Sequence, residues 1–101
     1  MEKYIAELLE NNNRVIIPDF GAFIVKQGEK KSITFNEFLK FNDGLLVNYV
    51  ADKENIDKND ATSKVKTYSE ELKINLKEGK KIKFDDLGFL HLDDKRRVSF
   101  S

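Results

Sequence analysis

The sequence of 101 residues contains no cysteine, no tryptophan, one histidine and one proline. The lack of cysteine excludes disulfide bonds and thiolate metal ligands, and it fits a protein that works in a reducing compartment. The one histidine, His91, has no second imidazole with which to hold a metal ion. We therefore predict no metal site, no cofactor and a cytoplasmic location.

Net charge is also lacking, because 18 lysine and arginine residues offset 18 aspartate and glutamate residues. Proteins that bind nucleic acid by charge alone usually have a basic excess and a pI above about 9. Any binding to phosphates must therefore come from local clusters of cations. No hydrophobic run approaches the length of a membrane span, and the N-terminus lacks a signal-peptide pattern. We expect no membrane contact by this segment, while an anchor elsewhere in a longer chain stays open.

Patterns typical of catalysis are missing as well. The sequence has no nucleophile paired with a base, no P-loop and no dinucleotide fingerprint. The carboxylate pairs Asp85 with Asp86 and Asp93 with Asp94 fall in predicted turns, where aspartate is favoured because it hydrogen-bonds to the local backbone. We predict no catalytic residue, and hence that the protein is not an enzyme.

The hydrophobic residues that are present, 40% of the chain, favour one α+β domain over residues 1–101. Helical spacing predicts a first helix over residues 2–10 and a second that begins near Leu45. A third helix is predicted from the capping residue Asp57 to Gly79. Its apolar stripe consists of Ala61, Val65, Tyr68, Leu72 and Leu76.

The remaining apolar segments predict strands. We interpret residues 15–25 as one strand bent at Pro18, since proline lacks the donor that a central strand needs. Setting Gly21 against Gly88 aligns two such segments, each followed by a turn and a return strand. The pattern predicts three helices and two Gly-bent β-hairpins related by a pseudo-twofold internal repeat, with units at residues 1–44 and 45–101.

Phenylalanines at strand spacing are predicted to lie in the core. They are Phe20, Phe23, Phe35, Phe84, Phe89 and Phe100. Phe38 and Phe41 lie in irregular sequence instead, and we expect one of them to be exposed as a contact for a partner.

Residues 45–92 resemble the bacterial HU/IHF family of histone-like DNA-binding proteins. They contain, in the family's order, a first helix (LLVNYVADKEN), a capped start (IDKNDA), a long helix (TSKVKTYSEELKINLKEG) and a bent strand (KKIKFDDLGFLHL). The segments YIAELLENNNRVIIPDFGAFIVKQ and ITFNEFLKFNDGLLVNYV are similar to the prokaryotic HU-related modules that occur in tandem ahead of a membrane helix and a SPOR domain. The resemblance covers nearly the whole chain.

The resemblance implies DNA binding in the bacterial nucleoid. HU-type proteins bend DNA with an Arg-Asn-Pro wedge at the tips of long arms, but here the only proline is Pro18 and both hairpins are short. We therefore expect weak, sequence-nonspecific binding to the DNA backbone without intercalative bending. The alternative is a protein-interaction or self-association module, such as a homodimer, on an HU scaffold. It would be the N-terminal cytoplasmic part of an envelope-linked, peptidoglycan-binding SPOR protein.

The candidate nucleic-acid-binding residues are cations near the two hairpins. Phosphates attract lysine and arginine without regard to base sequence. The competing interpretation is a solvated surface, since lysines commonly keep sheet edges from aggregating, and the sequence leaves both open. The candidates are Lys80, Lys81, Lys83, Lys95, Arg96, Arg97, Lys30 and Lys31.

Overall fold

The computed structural model describes residues 1–30 and 32–101. Over these residues the chain forms three helices and two three-stranded antiparallel sheets, which confirms the α+β class. The helices are α1 (Glu2–Asn11), α2 (Leu45–Glu54) and α3 (Lys58–Lys77). The strands are β1 (Arg14–Ile17), β2 (Gly21–Lys26), β3 (Ser32–Asn36), β4 (Ile82–Phe84), β5 (Gly88–Leu92) and β6 (Val98–Phe100). None of the described helices is both long and apolar enough to span a bilayer.

Helix α3 begins and ends where the sequence predicts. The carboxylate of Asp57 accepts a hydrogen bond from the Asp60 amide at 2.8 Å, and so satisfies one of the free donors at the helix start. The chain leaves the helix through Gly79, whose φ of 86° is strained for residues that carry a side chain. Every member of the predicted apolar stripe is buried. The helix therefore packs on the core through that stripe.

The first sheet corrects the predicted bent strand. Residues 15–25 belong to two antiparallel strands, β1 and β2, joined by a turn in which the Phe20 amide donates to the Ile17 carbonyl at 3.0 Å. Pro18 lies in this turn because its fixed φ near −65° suits the second position of a turn. Strand β3 pairs antiparallel with β2, and β1 adds a third strand, so the unit is a sheet of order β1-β2-β3.

The second sheet has the same architecture, with the order β4-β5-β6. The turn between β4 and β5 is closed by the Leu87 amide, which donates to the Phe84 carbonyl at 3.0 Å. In this turn the residue with positive φ is Asp85, at 48°, whereas in the first turn it is Asp19, at 66°. The positive φ falls one position later in the first turn because proline occupies the earlier position and cannot adopt it.

Gly21 and Gly88 each allow a phenylalanine ring to lie against the backbone. A Cβ atom on Gly21 would be 2.5 Å from Cζ of Phe35, and one on Gly88 would be 3.0 Å from Cζ of Phe100. The contact at Gly21 is too short for a real side chain and that at Gly88 is very tight, so the rings pack closely because these two positions carry no side chain.

Aromatic contacts join the two sheets into one core. Phe23 of the first sheet is fully buried, and its ring centroid lies 5.0 Å from that of Phe84 and 5.3 Å from that of Phe100. The ring of Phe35 lies 5.1 Å from Phe23 on the other side. Edge-to-face pairs of this kind add to the free energy of burying the rings.

A pair of crossed hydrogen bonds holds α1 against α2. The Tyr4 hydroxyl donates to Glu54 at 3.0 Å, the Tyr49 hydroxyl donates to Glu7 at 2.7 Å, and the two rings meet edge to face. Lys64 of α3 also forms an ion pair with Glu54. The hydrogen bond from Lys64, and then that from Tyr4, lowers the pKa of the Glu54 carboxyl below its ordinary value.

Candidate nucleic-acid interface

The second sheet presents cations because its strands alternate between a buried and an exposed face. Phe84 and Leu90 point into the core and are fully buried, whereas Lys83 lies directly opposite Phe89 on the outer face. Phe89 is 41% exposed, so the prediction that it lies in the core is wrong. Phe89 follows Gly88, which pairs with the buried Phe84. Because neighbouring residues in a strand point to opposite faces, Phe89 points away from the core.

The turn between β5 and β6 is held by one carboxylate. Asp93 accepts hydrogen bonds from the amides of Lys95 at 2.9 Å and Arg97 at 3.0 Å, and its own carbonyl accepts from the Arg96 amide. The hydrogen bond from Arg97 lowers the pKa of the Asp93 carboxyl. The side chains of these three cations are exposed, so the turn displays them to solvent.

The antiparallel register brings the two predicted cation clusters to the same end of the second sheet. Ile82 at the start of β4 pairs with Leu90, and Val98 at the start of β6 pairs with Leu92 at the end of β5. Residues 80–81 and 95–97 therefore flank the end of β5, with their strands roughly 10 Å apart across the sheet. Lys83 lies further along β4.

Most of these cations have no acidic partner. Lys80 pairs with Glu78 at 3.4 Å. Within residues 1–30 and 32–101, the other five candidates of the second sheet form no ion pair. These five are Lys81, Lys83, Lys95, Arg96 and Arg97, and we call them the sheet-end cations. They form the largest unpaired set among the predicted site residues.

The tip between β2 and β3 contributes less. Lys30 is exposed, and Lys31 lies outside the described residues. Lys26, at the end of β2, instead faces a cleft of about 500 Å³ between the two sheets, together with Arg97.

The cleft between the sheets carries no excess of positive charge. Its cations Lys26 and Arg97 are matched by the carboxylates of Glu37 and Asp93. Glu37 also crosses between the sheets, because its Oε2 accepts a hydrogen bond from the Val98 amide at 2.9 Å. The cleft is therefore less suited to phosphates than the end of the second sheet.

Part of the outer face of the first sheet is covered, at β1. Arg14 and Ile16 share this face of β1, and Ile16 is fully buried although its neighbours in sequence point into the core. The chain after β3 lies against this face, since the Arg14 guanidinium lies 5.7 Å from the centroid of the Phe41 ring and the Lys40 carbonyl accepts from the Asp19 amide at 2.9 Å. The covering does not extend over the whole face, since Arg14 and Lys26 on it are exposed.

Comparison with protein families gives two adjoining matches. A family model described as CCDC81-like prokaryotic HU domain 2 matches residues 44–101, more than half of the chain. The chain belongs to the CCDC81-like prokaryotic HU domains. The companion model, CCDC81-like prokaryotic HU domain 1, matches residues 1–43. No curated protein and no solved structure matches.

The family match confirms the expected tandem of HU-related modules in a bacterial type of protein. In this HU pair the first module supplies Phe23 and the second supplies Phe84 and Phe100 to one aromatic cluster. The two modules therefore share a core and present their outer faces differently.

The sequence predicted the cations of the HU pair as candidates but not the hydrogen bonds between the sheets beside them. The bond from Val98 to Glu37 joins residues far apart in the chain, so no local pattern could reveal it. Irregular sequence predicted exposure for one of Phe38 and Phe41, and both are exposed, by 77% and 54%. His91 hydrogen-bonds through Nε2 to the Ser101 hydroxyl at 2.8 Å, and the described residues contain no cluster of three metal-binding side chains.

Proposed function

We propose that this HU pair is a nucleic-acid-binding module that binds duplex DNA weakly through the phosphate backbone, without preference for sequence. The supporting observation is the set of five sheet-end cations, which form no ion pair among the described residues; four of them lie at one end of the second sheet and Lys83 lies further along β4. Membership of the HU family supports the same conclusion. Lysine and arginine near phosphates release counterions from DNA, which favours binding whatever the bases.

Intercalative bending is not part of this function. Bending of that kind needs an apolar wedge that enters a base step. The one proline, Pro18, lies in the turn between β1 and β2, and the residues at the β5–β6 turn are charged. The acidic residues of the cleft further limit how much DNA the protein can contact, which is why we expect weak binding.

A titration against labelled duplex DNA tests this function. The fluorescence anisotropy of two duplexes of unrelated sequence should rise with protein at about 50 mM salt and much less at about 200 mM, equally for both sequences. Energy transfer between dyes at the duplex ends should stay unchanged, because the DNA is not bent. A failure to bind at about 50 mM salt, where backbone contacts are strong, would refute the proposal.

The second candidate function is protein interaction or self-association on the HU scaffold. Two exposed aromatic side chains, Phe38 and Phe41, support it, since aromatic residues are enriched at interfaces. Sedimentation over a range of protein concentrations tests the homodimer. If the wild-type chain dimerises and Phe38→Ser is monomeric while neither binds DNA, this function replaces the first.

The internal repeat belongs to the proposal as well. The two units of residues 1–44 and 45–101 would be related by a pseudo-twofold axis within a single domain. Support comes from the matching strand orders, the matching turn hydrogen bonds and the two glycines under phenylalanine rings. Superposition of the two sheets in an experimental structure tests it, and sheets that fail to superpose through Gly21 and Gly88 would remove it.

We place this module in the cytoplasm, as the N-terminal part of an envelope-linked protein that carries a membrane helix and a SPOR domain. The sequence resemblance to modules found in that order supports this placement. On this proposal the HU pair is a binding module without catalysis. Fractionation of cells that express the full-length protein, followed by detection of this segment, would test its location.

A further inference from the structure

The outer face of the second sheet carries an exposed aromatic ring among polar side chains. Phe89 pairs directly with Lys83 of β4. On its other side the Phe89 amide donates to the Ser101 carbonyl at 2.9 Å, and the Ser101 amide donates to the Phe89 carbonyl at 3.0 Å. Residues directly opposite in antiparallel strands share a face. His91 lies on this face as well, two residues along β5, and its Nε2 hydrogen-bonds to the Ser101 hydroxyl at 2.8 Å.

The core of the protein does not use this ring. The inner face of the same sheet supplies Phe84, Leu90 and Phe100 to the core. Within residues 1–30 and 32–101, the aromatic pairs include Phe84 and Phe100 of this sheet but not Phe89. Phe89 therefore leaves much of its ring open to a flat group from another molecule, with which aromatic rings stack favourably.

On the strands around the ring the charge is positive. Strands β4, β5 and β6 contain no acidic residue. In the turns, the Asp93 carboxylate is held by two backbone amides, whereas Asp85 and Asp86 line a groove with Lys83 on the side of α1. The other four sheet-end cations lie at the far end of β5, three residues or roughly 10 Å from Phe89. A polyanion on this face would therefore run from the ring toward that end.

A single strand of DNA matches both the ring and the charge. Each of its nucleotides carries a negative phosphate and a flat base. The bases of a single strand can leave their stack, whereas those of a duplex are covered by neighbouring base pairs. Proteins bind single strands without preference for sequence by combining a positively charged groove with aromatic rings on which the bases stack. Such rings are found on the open faces of sheets that bind unpaired bases.

We propose that the outer face of the second sheet binds single-stranded DNA, with one base stacked on Phe89 and the neighbouring phosphates against the sheet-end cations. Such binding extends the proposed function and rests on the same cations. The ring adds a contact that only the single strand can make, because a duplex hides the faces of its bases.

Fluorescence anisotropy with a labelled thymidine oligonucleotide, and with a duplex of the same length, tests the contact. Phe89→Ala should weaken binding to the single strand about 5- to 150-fold, as loss of one stacked base does, and should leave binding to the duplex unchanged. Phe89→Leu keeps an apolar side chain without a ring and should behave as Phe89→Ala does. Phe89→Tyr keeps the ring and should bind as the wild type. The matched control Phe41→Ala removes an exposed ring beside the first sheet and should also bind as the wild type.

A fluorescent side chain at the same position gives a second measurement. The chain contains no tryptophan, so Phe89→Trp introduces a single indole on the sheet face. Stacking of a base on the indole should quench its fluorescence in a saturable way as the oligonucleotide is added, and the duplex should quench it far less. Phe41→Trp is the control and should not respond. This measurement keeps the test valid even if Phe89→Ala folds poorly.

The outcomes separate single-strand binding from the proposed binding to duplex DNA. Wild-type affinity of Phe89→Leu for the single strand, or an indole at position 89 that the oligonucleotide does not quench, would overturn the stacking contact and leave duplex binding standing. Single-strand binding that depends on Phe89 in a chain that does not bind duplex would support the contact and refute the proposed function. Failure to bind either DNA would refute both. If Phe89→Ala instead converts a wild-type dimer to a monomer with unchanged DNA binding, the face is occupied by a second copy and the proposal is wrong.

Discussion

The salt dependence of DNA binding is the sharpest consequence of the proposed function. Five cations form no ion pair among the described residues: Lys81, Lys83, Lys95, Arg96 and Arg97. If all five do so, the logarithm of the affinity falls with the logarithm of salt concentration with a slope of about −4.5, since each contact contributes about 0.9. Raising salt from about 50 to about 200 mM then weakens binding about 500-fold.

Changing Lys81, Lys83 and Arg96 to glutamine should leave two contacts. The slope should then be about −1.8, and the same increase in salt should weaken binding only about 12-fold. The loss of affinity at low salt should be equal for duplexes of different sequence, because contacts to phosphates carry no base information. Fluorescence anisotropy at several salt concentrations measures both quantities.

The matched control removes the same charge from the helices. Lys3, Lys58 and Lys77 are exposed on α1 and α3, and their change to glutamine should leave the slope near the wild-type value. If this control flattens the slope as much as the first variant does, the binding follows net charge alone and the assigned interface is wrong. A wild-type slope near zero would refute the backbone-binding argument itself.

Three further predictions concern the fold. Leu72→Ala should lower the free energy of unfolding by about 2–5 kcal/mol, because Leu72 is buried. Ile74→Ala on the exposed side should change it by less than about 0.5 kcal/mol, and equal losses in urea denaturation would contradict the packing of α3. Gly21→Ala should cost about 1–3 kcal/mol through its clash with a phenylalanine ring, whereas a Cβ at Gly28 meets only an ordinary contact, with the Lys30 carbonyl oxygen at 3.9 Å, so similar melting temperatures for the two variants would be evidence against the clash. The pKa of the Glu54 carboxyl is lower in the folded protein than its unfolded value near 4.5. The ionised carboxylate therefore stabilises the fold at pH values above about 4.5, and this contribution is lost as pH falls through the pKa of the folded state. Glu54→Gln should therefore show a shallower loss of stability than the wild type between about pH 5 and pH 3 in urea midpoints, and identical slopes would exclude this role.

Local chemistry in the sequence predicted the helices well and the strands less well. The cap at Asp57 and the glycine at Gly79 set the limits of α3, because both act within a turn of the helix. The apolar pattern of residues 15–25 fits one bent strand or two paired strands equally. The hydrogen bond from Phe20 to Ile17 decides between them, and it depends on the pairing of β1 with β2 rather than on the residues of either strand.

The sequence by itself determined which residues could bind phosphates, since only lysine and arginine clusters offer that charge at neutral pH. The tertiary structure decided which of them lie together and which are already paired, as the register of β4, β5 and β6 and the ion pair of Lys80 with Glu78 show. It also placed the exposed ring of Phe89 opposite Lys83. The strand register, and with it the position of Phe89, joins residues that are not neighbours in the chain, and its energy depends on packing that no local pattern encodes.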